Sequence, residues 1–393
     1  MKIRHQFGLF AFIFGTYLGF MYMFLTELEP ISEDAKQCPP PLLCPTCLCQ
    51  KCPECPIRKR NCHTASRPRE EKRRYPCYPH KLVMTTFDRG GIGNKMSEYA
   101  TLLAITTMSG YYPAVSQTLY DVLSEAFSNI NHLPFNVSDE CIDVVRYLDP
   151  GGDPKVVDLF LNKHAGKYPY IHLINYPNAV RVFHKMYHVL KHQFTFKRKV
   201  FELASQFVDL VGLDLQYEIP NPIFVGIHVR RIAYDHHLQI TQNGSLVEVE
   251  YFKRAITALQ DSLNLTNENA MNRMVFFVTS DDEKWCKRVF FDIEAVLFFP
   301  SDFYRKMPVV SKAHFDLCIM SLCNHSIYDY GTFGFWGAYL AGGHTILAHN
   351  IGTGNNTEVE TIKQANLPNW HFIDAHPPPV EPKPDYSSLY RRV

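Results

Sequence analysis

Four short stretches of this 393-residue chain combine residue types that bind or move charge. Val225-Gly-Ile-His-Val-Arg-Arg231 is an apolar run that ends in His228, Arg230 and Arg231. Side chains alternate along a strand, so His228 and Arg230 share one face and Arg231 takes the other. A guanidinium presents a planar fork that matches phosphate oxygens, and strand C-termini are where open α/β sheets bind ligands. Ser326 to Gly343 reads as a strand, a Gly331-Thr332 turn, a helix of small residues and a Gly-Gly stop. Thr332 and the free amides of that helix start make a site for a diphosphate. Phe87 to Met96 places Gly90, Gly91 and Gly93 before Asn94 at a strand-to-helix turn, where the backbone can approach a ligand closely. Met274 to Cys286 ends a strand in Ser280, Asp281, Asp282 and Glu283. Ser280 with Glu283 three residues on is a capping box, so these acids read as a helix start rather than a metal site. The chain contains no Asp-x-Asp, a common metal–diphosphate motif, so an arginine clamp is the charge partner the residues suggest. The plainer alternatives are a simple glycine connector for the Phe87–Met96 turn and arginines paired with acids at a domain edge.

These residues need strands and helices to hold them. Continuous apolar runs predict strands buried on both faces at Leu82–Phe87, Tyr170–Asn175, Ile223–Val229, Met274–Thr279, Val296–Phe299, Ser326–Tyr330 and Thr345–Ala348. Helical periodicity predicts Met96–Met108, Ala179–Gln193, Lys199–Val211, Glu248–Ser262, Ala313–Cys323 and Phe333–Leu340. Such alternation is that of doubly wound α/β domains with parallel sheets. The helical region around 179–211 divides the pattern into two halves, 80–211 and 212–375.

The N-terminal part is of another kind. Phe7 to Thr26 carries no charge, follows Lys2 and Arg4, and as a helix would span about 30 Å, the thickness of a bilayer core. With a cytoplasmic tail at 1–6, it reads as a signal anchor at 7–26 rather than a cleaved signal peptide. Eight of the 12 cysteines lie between Cys38 and Cys77, in a Pro-rich and then basic stalk at 27–79. In an oxidising lumen they read as disulfides, within or between chains, more readily than as zinc ligands. Sequons at Asn136, Asn243, Asn264 and Asn355 are expected glycan sites. Residues 376–393 read as a disordered tail. Lys+Arg 40 against Asp+Glu 39 supplies no whole-chain reason to expect nucleic acid.

Taken together the segments resemble the α-1,2-fucosyltransferase family of type II Golgi enzymes. The matches are Gly91-x-Gly-Asn94 with Met96-x-Glu-Tyr-Ala-Thr101, His228-Val-Arg-Arg231, Val278-Thr-Ser280 with Trp285-Cys286, and Cys323-Asn-His-Ser326 through Gly331-Thr-Phe-Gly-Phe-Trp336 to Gly343. They occur in the family's order and cover most of residues 80–350. The resemblance implies GDP-fucose as donor, inversion at the anomeric carbon, no cofactor or metal, and a GT-B-like pair of Rossmann-type domains behind one transmembrane helix and stalk. By the same likeness Arg230 and Thr332 would hold the β-phosphate, His228 and Asp316 would read guanosine, and Asn94 would approach from the other domain. Gly91, Gly93, Arg231, Gly331 and Phe333 complete the expected donor-binding set. Two positions depart from the family: Ala233 stands where an acid is usual, and Lys95 replaces a usual Gln.

The expected activity is therefore transfer of fucose to a galactose-containing glycan, forming an α-1,2 linkage in the Golgi lumen. Asp235, with His236 or His237, is the nearby candidate for a base that deprotonates the acceptor. The alternatives are a glycan- or nucleotide-binding membrane protein of impaired catalysis, suggested by Ala233, and a fucosyltransferase of different linkage. A disulfide-linked homodimer through the stalk is the oligomer the cysteines allow.

Overall fold

The computed structural model describes residues 81–85, 89–130, 145–149, 154–164, 166–265, 272–354 and 357–376. The anchor, the stalk, Asn136, Asn355 and residues 377–393 of the tail lie outside them. The chain divides into two compact units, Met1–Arg74 and Tyr75–Val393, and every described residue belongs to the second. No helix among the described residues is long and apolar enough to cross a membrane.

The first half of that unit runs β1 (Leu82–Thr85), α1 (Ile92–Ser109), β2 (Tyr112–Val115), α2 (Gln117–Ala126), β3 (Val145–Leu148), α3 (Pro154–Leu159) and β4 (Tyr170–Leu173). Then come α4 (Val180–Phe183), α5 (Tyr187–Gln193) and α6 (Arg198–Leu215). The second half runs β5 (Ile223–Val229), α7 (Asp235–Gln242), α8 (Val249–Ser262), β6 (Met274–Ser280), α9 (Glu283–Val289), β7 (Val296–Phe298), α10 (Pro300–Tyr304) and α11 (Lys312–Leu322). It closes with β8 (His325–Tyr328), α12 (Thr332–Ala341), β9 (Thr345–His349), α13 (Thr357–Ala365) and β10 (Trp370–Asp374). The sheets are ordered β2-β1-β4-β3 and β10-β9-β8-β5-β6-β7, and every pairing is parallel. Parallel pairing is what the unbroken apolar runs require, because helices cover both faces. All seven residues of β6 are buried.

Helix α6 was expected near the division of the halves, and it packs with the second one. Phe207 on its apolar stripe meets Phe277 of β6, Phe303 of α10 and Phe315 of α11 at ring distances of 5.1, 5.5 and 6.3 Å. The expected continuous helix Ala179–Gln193 is broken instead, by a 3₁₀ turn at His184–Met186. That turn brings His184 and Tyr187, three residues apart, onto one side. There the His184 ring nitrogen lies 3.2 Å from the Tyr339 hydroxyl, and the Tyr187 ring packs edge-on at 5.2 Å.

The halves meet through α12. Its Trp336 is fully buried, donates to Ser97 Oγ of α1 at 2.9 Å and stacks on Phe183 of α4 at 5.4 Å. Trp336 thus belongs to the same apolar core as Met96, Tyr99 and Ile171 of the first half.

Candidate active site

Strand β5 lies between β6 and β8, and the three end side by side. From the end of β8, Asp329 Oδ2 accepts the Arg230 amide at 2.8 Å and Oδ1 accepts the Tyr330 amide at 2.7 Å. The Tyr330 hydroxyl returns a bond to the Arg230 carbonyl at 2.9 Å. From the end of β6, Asp281 accepts the amides of Arg231 at 2.8 Å and Ile232 at 3.1 Å, and also the Arg230 guanidinium. Arg230 is therefore held at its amide, its carbonyl and its side chain, while 38% of that side chain stays exposed to a ligand. Burial raises the Asp329 carboxyl well above its ordinary range, against the amide bonds that favour its anion.

The next residues bend back over the arginine. Ala233 has φ +58°, a left-handed conformation that costs a residue with a Cβ about 1 kcal/mol. The bend stacks Tyr234 on Tyr330 at 4.6 Å and 13°, with the Arg230 guanidinium 5.5 Å from the Tyr234 ring. No acid stands at 233, and the carboxylate that meets Arg230 comes from Asp281 instead. The capping-box reading is corrected at the same place. Asp282, not Ser280, caps α9 by accepting the Trp285 amide at 3.0 Å, and Ser280 Oγ accepts the Asp282 amide at 2.9 Å. Asp281 is thereby left to face β5.

Arg231 points the other way, as strand alternation requires. Its guanidinium lies 3.7 Å over the Trp285 ring and donates to the Val247 carbonyl at 3.0 Å. Its side chain is 13% exposed, so the structure places it in packing rather than beside Arg230.

The second wall is a meeting of two helix starts. Gly331 has φ +89°, which suits glycine, and the chain turns there into α12. Thr332 Oγ1 donates to Asn94 Oδ1 of α1 at 2.5 Å. A Cβ on Gly93 would sit 2.6 Å from the Phe333 amide nitrogen, so only glycine permits this approach. Gly91 precedes it as the exposed cap of α1. First-turn amides lack intrahelical acceptors, so a helix start favours an anion. Phe333 packs on the buried His228 ring at 4.7 Å. Burial, then the charges of Arg230 and Lys312, push His228 down to about 3, so its imidazole is neutral at physiological pH.

The third wall is the first turn of α11. Lys312 Nζ donates to Asp316 Oδ2 at 2.5 Å and lies 3.3 Å from Glu283. Asp316 is buried, its Oδ1 has no partner among the described residues, and burial pushes its carboxyl up to about 6 despite Lys312. A buried acceptor without a donor is costly, and a donor group arriving with a ligand would satisfy it.

Asp235 is exposed on the first turn of α7, and no bond joins it to these walls among the described residues. His236 is exposed, and His237 packs on Tyr234 at 4.9 Å. Lys95 is buried beside Glu98 at 3.6 Å, in a group completed by the Thr85 hydroxyl. Asn243 and Asn264 are exposed, and Asn243 donates its side-chain amide to Thr353 at 2.9 Å. A separate cavity of about 440 Å³, between Lys197–Val200 and Val309–Ser311, reaches His314 of α11 but is lined by none of Arg230, His228, Thr332, Asn94, Lys312 and Asp316. Sequence reasoning missed Asp281, Asp329, Tyr330 and Lys312 as site residues. For Asp329 a signal existed: it is an acid at the C-terminal end of an otherwise apolar strand.

The sequence profile of glycosyl transferase family 11 matches residues 55–374. A galactoside alpha-(1,2)-fucosyltransferase 2 of Pongo pygmaeus is 28% identical over 305 residues, covering 74% of this chain and 79% of that one. A galactoside alpha-(1,2)-fucosyltransferase 1 of Homo sapiens is 27% identical over 310 residues, covering 78% and 79%. Among solved structures, a mutant of Arabidopsis thaliana FUT1 in complex with GDP is similar with a TM-score of 0.45 and 14% identity over 71% of each chain.

Proposed function

The chain belongs to glycosyl transferase family 11, and from that premise we propose that it moves fucose from GDP-fucose to a galactose-containing glycan, forming an α-1,2 linkage with inversion. The observation that carries this reading is the confrontation of Arg230, anchored on two strand ends, with the helix start Gly331–Thr332, anchored on Asn94. A part-exposed guanidinium and the free amides of a helix start together suit a diphosphate.

In this reading the guanine meets the neutral His228 and the unpaired Asp316 oxygen, which is placed to accept a ring N–H. The diphosphate lies between the Arg230 guanidinium and the first amides of α12. An acceptor hydroxyl attacks C1 of fucose on the side opposite GDP. Positive charge grows on the sugar and negative charge on the leaving phosphate, and Arg230 with Thr332 meets the latter. No metal or cofactor takes part. The anchor at 7–26 would hold the domain on the lumenal side of the Golgi membrane, and the cysteine-rich stalk would allow a disulfide-linked homodimer. The test is incubation of the full chain, in detergent, with GDP-fucose and a panel of glycans, followed by linkage analysis. Transfer to galactose O2 is expected. Absence of transfer to every galactoside overturns the reading.

A further inference from the structure

The cavity between the starts of α6 and α11 has so far been given no role. Its volume of about 440 Å³ lies within the range of small-molecule sites, roughly 300–1,000 Å³. The Lys197 amide donates to the Ala126 carbonyl at 2.8 Å, which seats the start of α6 on the end of α2. The Tyr304 hydroxyl donates to the Val310 carbonyl at 2.7 Å and holds the loop that enters α11. Neither helix start is capped by the side chain of its flanking residue, Lys197 or Ser311, and neither carries an acid in its first turn. First-turn amides lack intrahelical acceptors, so both starts favour an anion.

The side chains at these starts reverse what a helix N-terminus favours. Lys197, Arg198 and Lys199 set three consecutive cations at the start of α6, against its dipole. Arg198 donates to Glu202 at 2.6 Å, while Lys197 and Lys199 have no ion pair among the described residues. Glu125 is the only acid among the lining residues. His314, on the first turn of α11, lines the cavity, is 7% exposed and has no hydrogen-bond partner among the described residues. A buried imidazole with an unused N–H is costly, and a ligand oxygen would satisfy it. Burial lowers its pKa, with Glu125 opposing and Lys197 adding, so the ring is neutral at pH 7.5. Val200, Val309 and Val310 supply an apolar wall, and Val309 is 68% exposed. The lining suits an oxyanion on a body with an apolar face, and the C–H face of a sugar ring is such a body. Resting on the family assignment and not on the transfer mechanism, we propose that this cavity is a second glycan site that takes a sugar bearing a sulfate or a carboxylate. The oxyanion faces the two helix starts, Lys197 and Lys199, and His314 donates to one of its oxygens. The ring lies on the valines. His314 and Asp316 are two residues apart on α11, so the cavity and the transfer cleft lie on different sides of one helix.

The experiment uses the full chain in detergent, without GDP-fucose, and reads binding by calorimetry. The probes are galactose 6-sulfate, glucuronate, galactose and inorganic sulfate. The two acidic sugars should bind about 10-fold or more tightly than galactose or inorganic sulfate. The double variant Lys197→Glu/Lys199→Glu should lose about 10-fold or more of that affinity, with Tm unchanged or higher because acids suit a helix start. Lys197→Gln/Lys199→Gln carries the test should the reversal disturb folding. A sulfate ester keeps its charge between pH 7.5 and 5.5, as do Glu125, Lys197, Arg198 and Lys199, which face His314. A bound anion favours the protonated ring, so galactose 6-sulfate should bind several-fold more tightly at pH 5.5, and His314→Gln should remove that gain. Galactose 6-sulfate binding no more tightly than galactose, or binding equally to both double variants and the wild type, overturns the site. Inorganic sulfate binding as tightly as the sulfated sugar overturns the assignment to a sugar. Failure of the wild type to fucosylate any galactoside while acidic sugars still bind overturns the transfer reading and leaves this site standing.

Discussion

Thr332 of α12 donates a hydrogen bond to Asn94 of α1 across 238 positions of sequence, and it joins the two halves at the mouth of the cleft. Because Gly93 sits against the backbone of Thr332 and Phe333, neither partner can move aside by rotating a side chain. Gly93→Ala should therefore cost about 1–3 kcal/mol in thermal unfolding and weaken GDP binding with it. Asn94→Ala, which removes one hydrogen bond without a clash, should cost about 1 kcal/mol. Calorimetry on the two variants tests the order.

The two adjacent arginines should separate cleanly. Arg230→Ala removes the charge facing the leaving phosphate and should lower kcat about 10²–10³-fold. Arg231→Ala removes a guanidinium stacked on Trp285 and should cost about 1–2 kcal/mol in stability with GDP affinity nearly unchanged. A loss of GDP affinity in Arg231→Ala larger than that in Arg230→Ala would reverse the assignment.

Ala233 holds a left-handed conformation that glycine adopts without strain. Ala233→Gly should raise stability by up to about 1 kcal/mol, read as a higher Tm. Ala233→Val should lower it by more than that, because a branched side chain tolerates this region poorly.

At the opposite end of the strands of the second sheet lies a histidine chain. The His344 amide donates to His325 Nδ1 at 3.0 Å, and His344 Nδ1 lies 3.2 Å from His371 Nε2. Burial, then the His344 charge, lower the pKa of both His325 and His371 below 6.5. The unfolded chain therefore binds protons first as pH falls. The contribution of these residues is complete above about pH 6.5 and is lost as pH drops through the lower folded values. The Tm of the wild type minus that of a His371→Phe variant should shrink between pH 7.5 and 5.5. A difference that grows on acidification would refute the sign.

Much of the fold was legible because parallel strands buried on both faces leave a simple mark. β5 coincides with its expected run at Ile223–Val229, and β6 exceeds its own by Ser280. β2, read Tyr-Pro-Ala-Val, went unseen because its first half is partly exposed and carries a proline. β10 went unseen because all five of its residues are only half-buried at the sheet edge. α9 and α13 are short and polar, so their periodicity is weak over two turns.

By itself the sequence determined which residues stand at strand ends and helix starts. His228, Arg230, Gly331 and Thr332 are placed by local pattern, since alternation and turn chemistry act over a few residues. It also determined that Arg231 would face away from Arg230. Tertiary structure alone decided what those residues meet. Asp281 and Asp329 reach Arg230 from strands β6 and β8, 51 and 99 positions onward. The physical reason is that a carboxylate acts through distance and burial, and both are set by which strands lie side by side. Nothing in the spacing of an acid along the chain records whether the fold will leave it capping a helix, clamping an arginine, or buried without a partner.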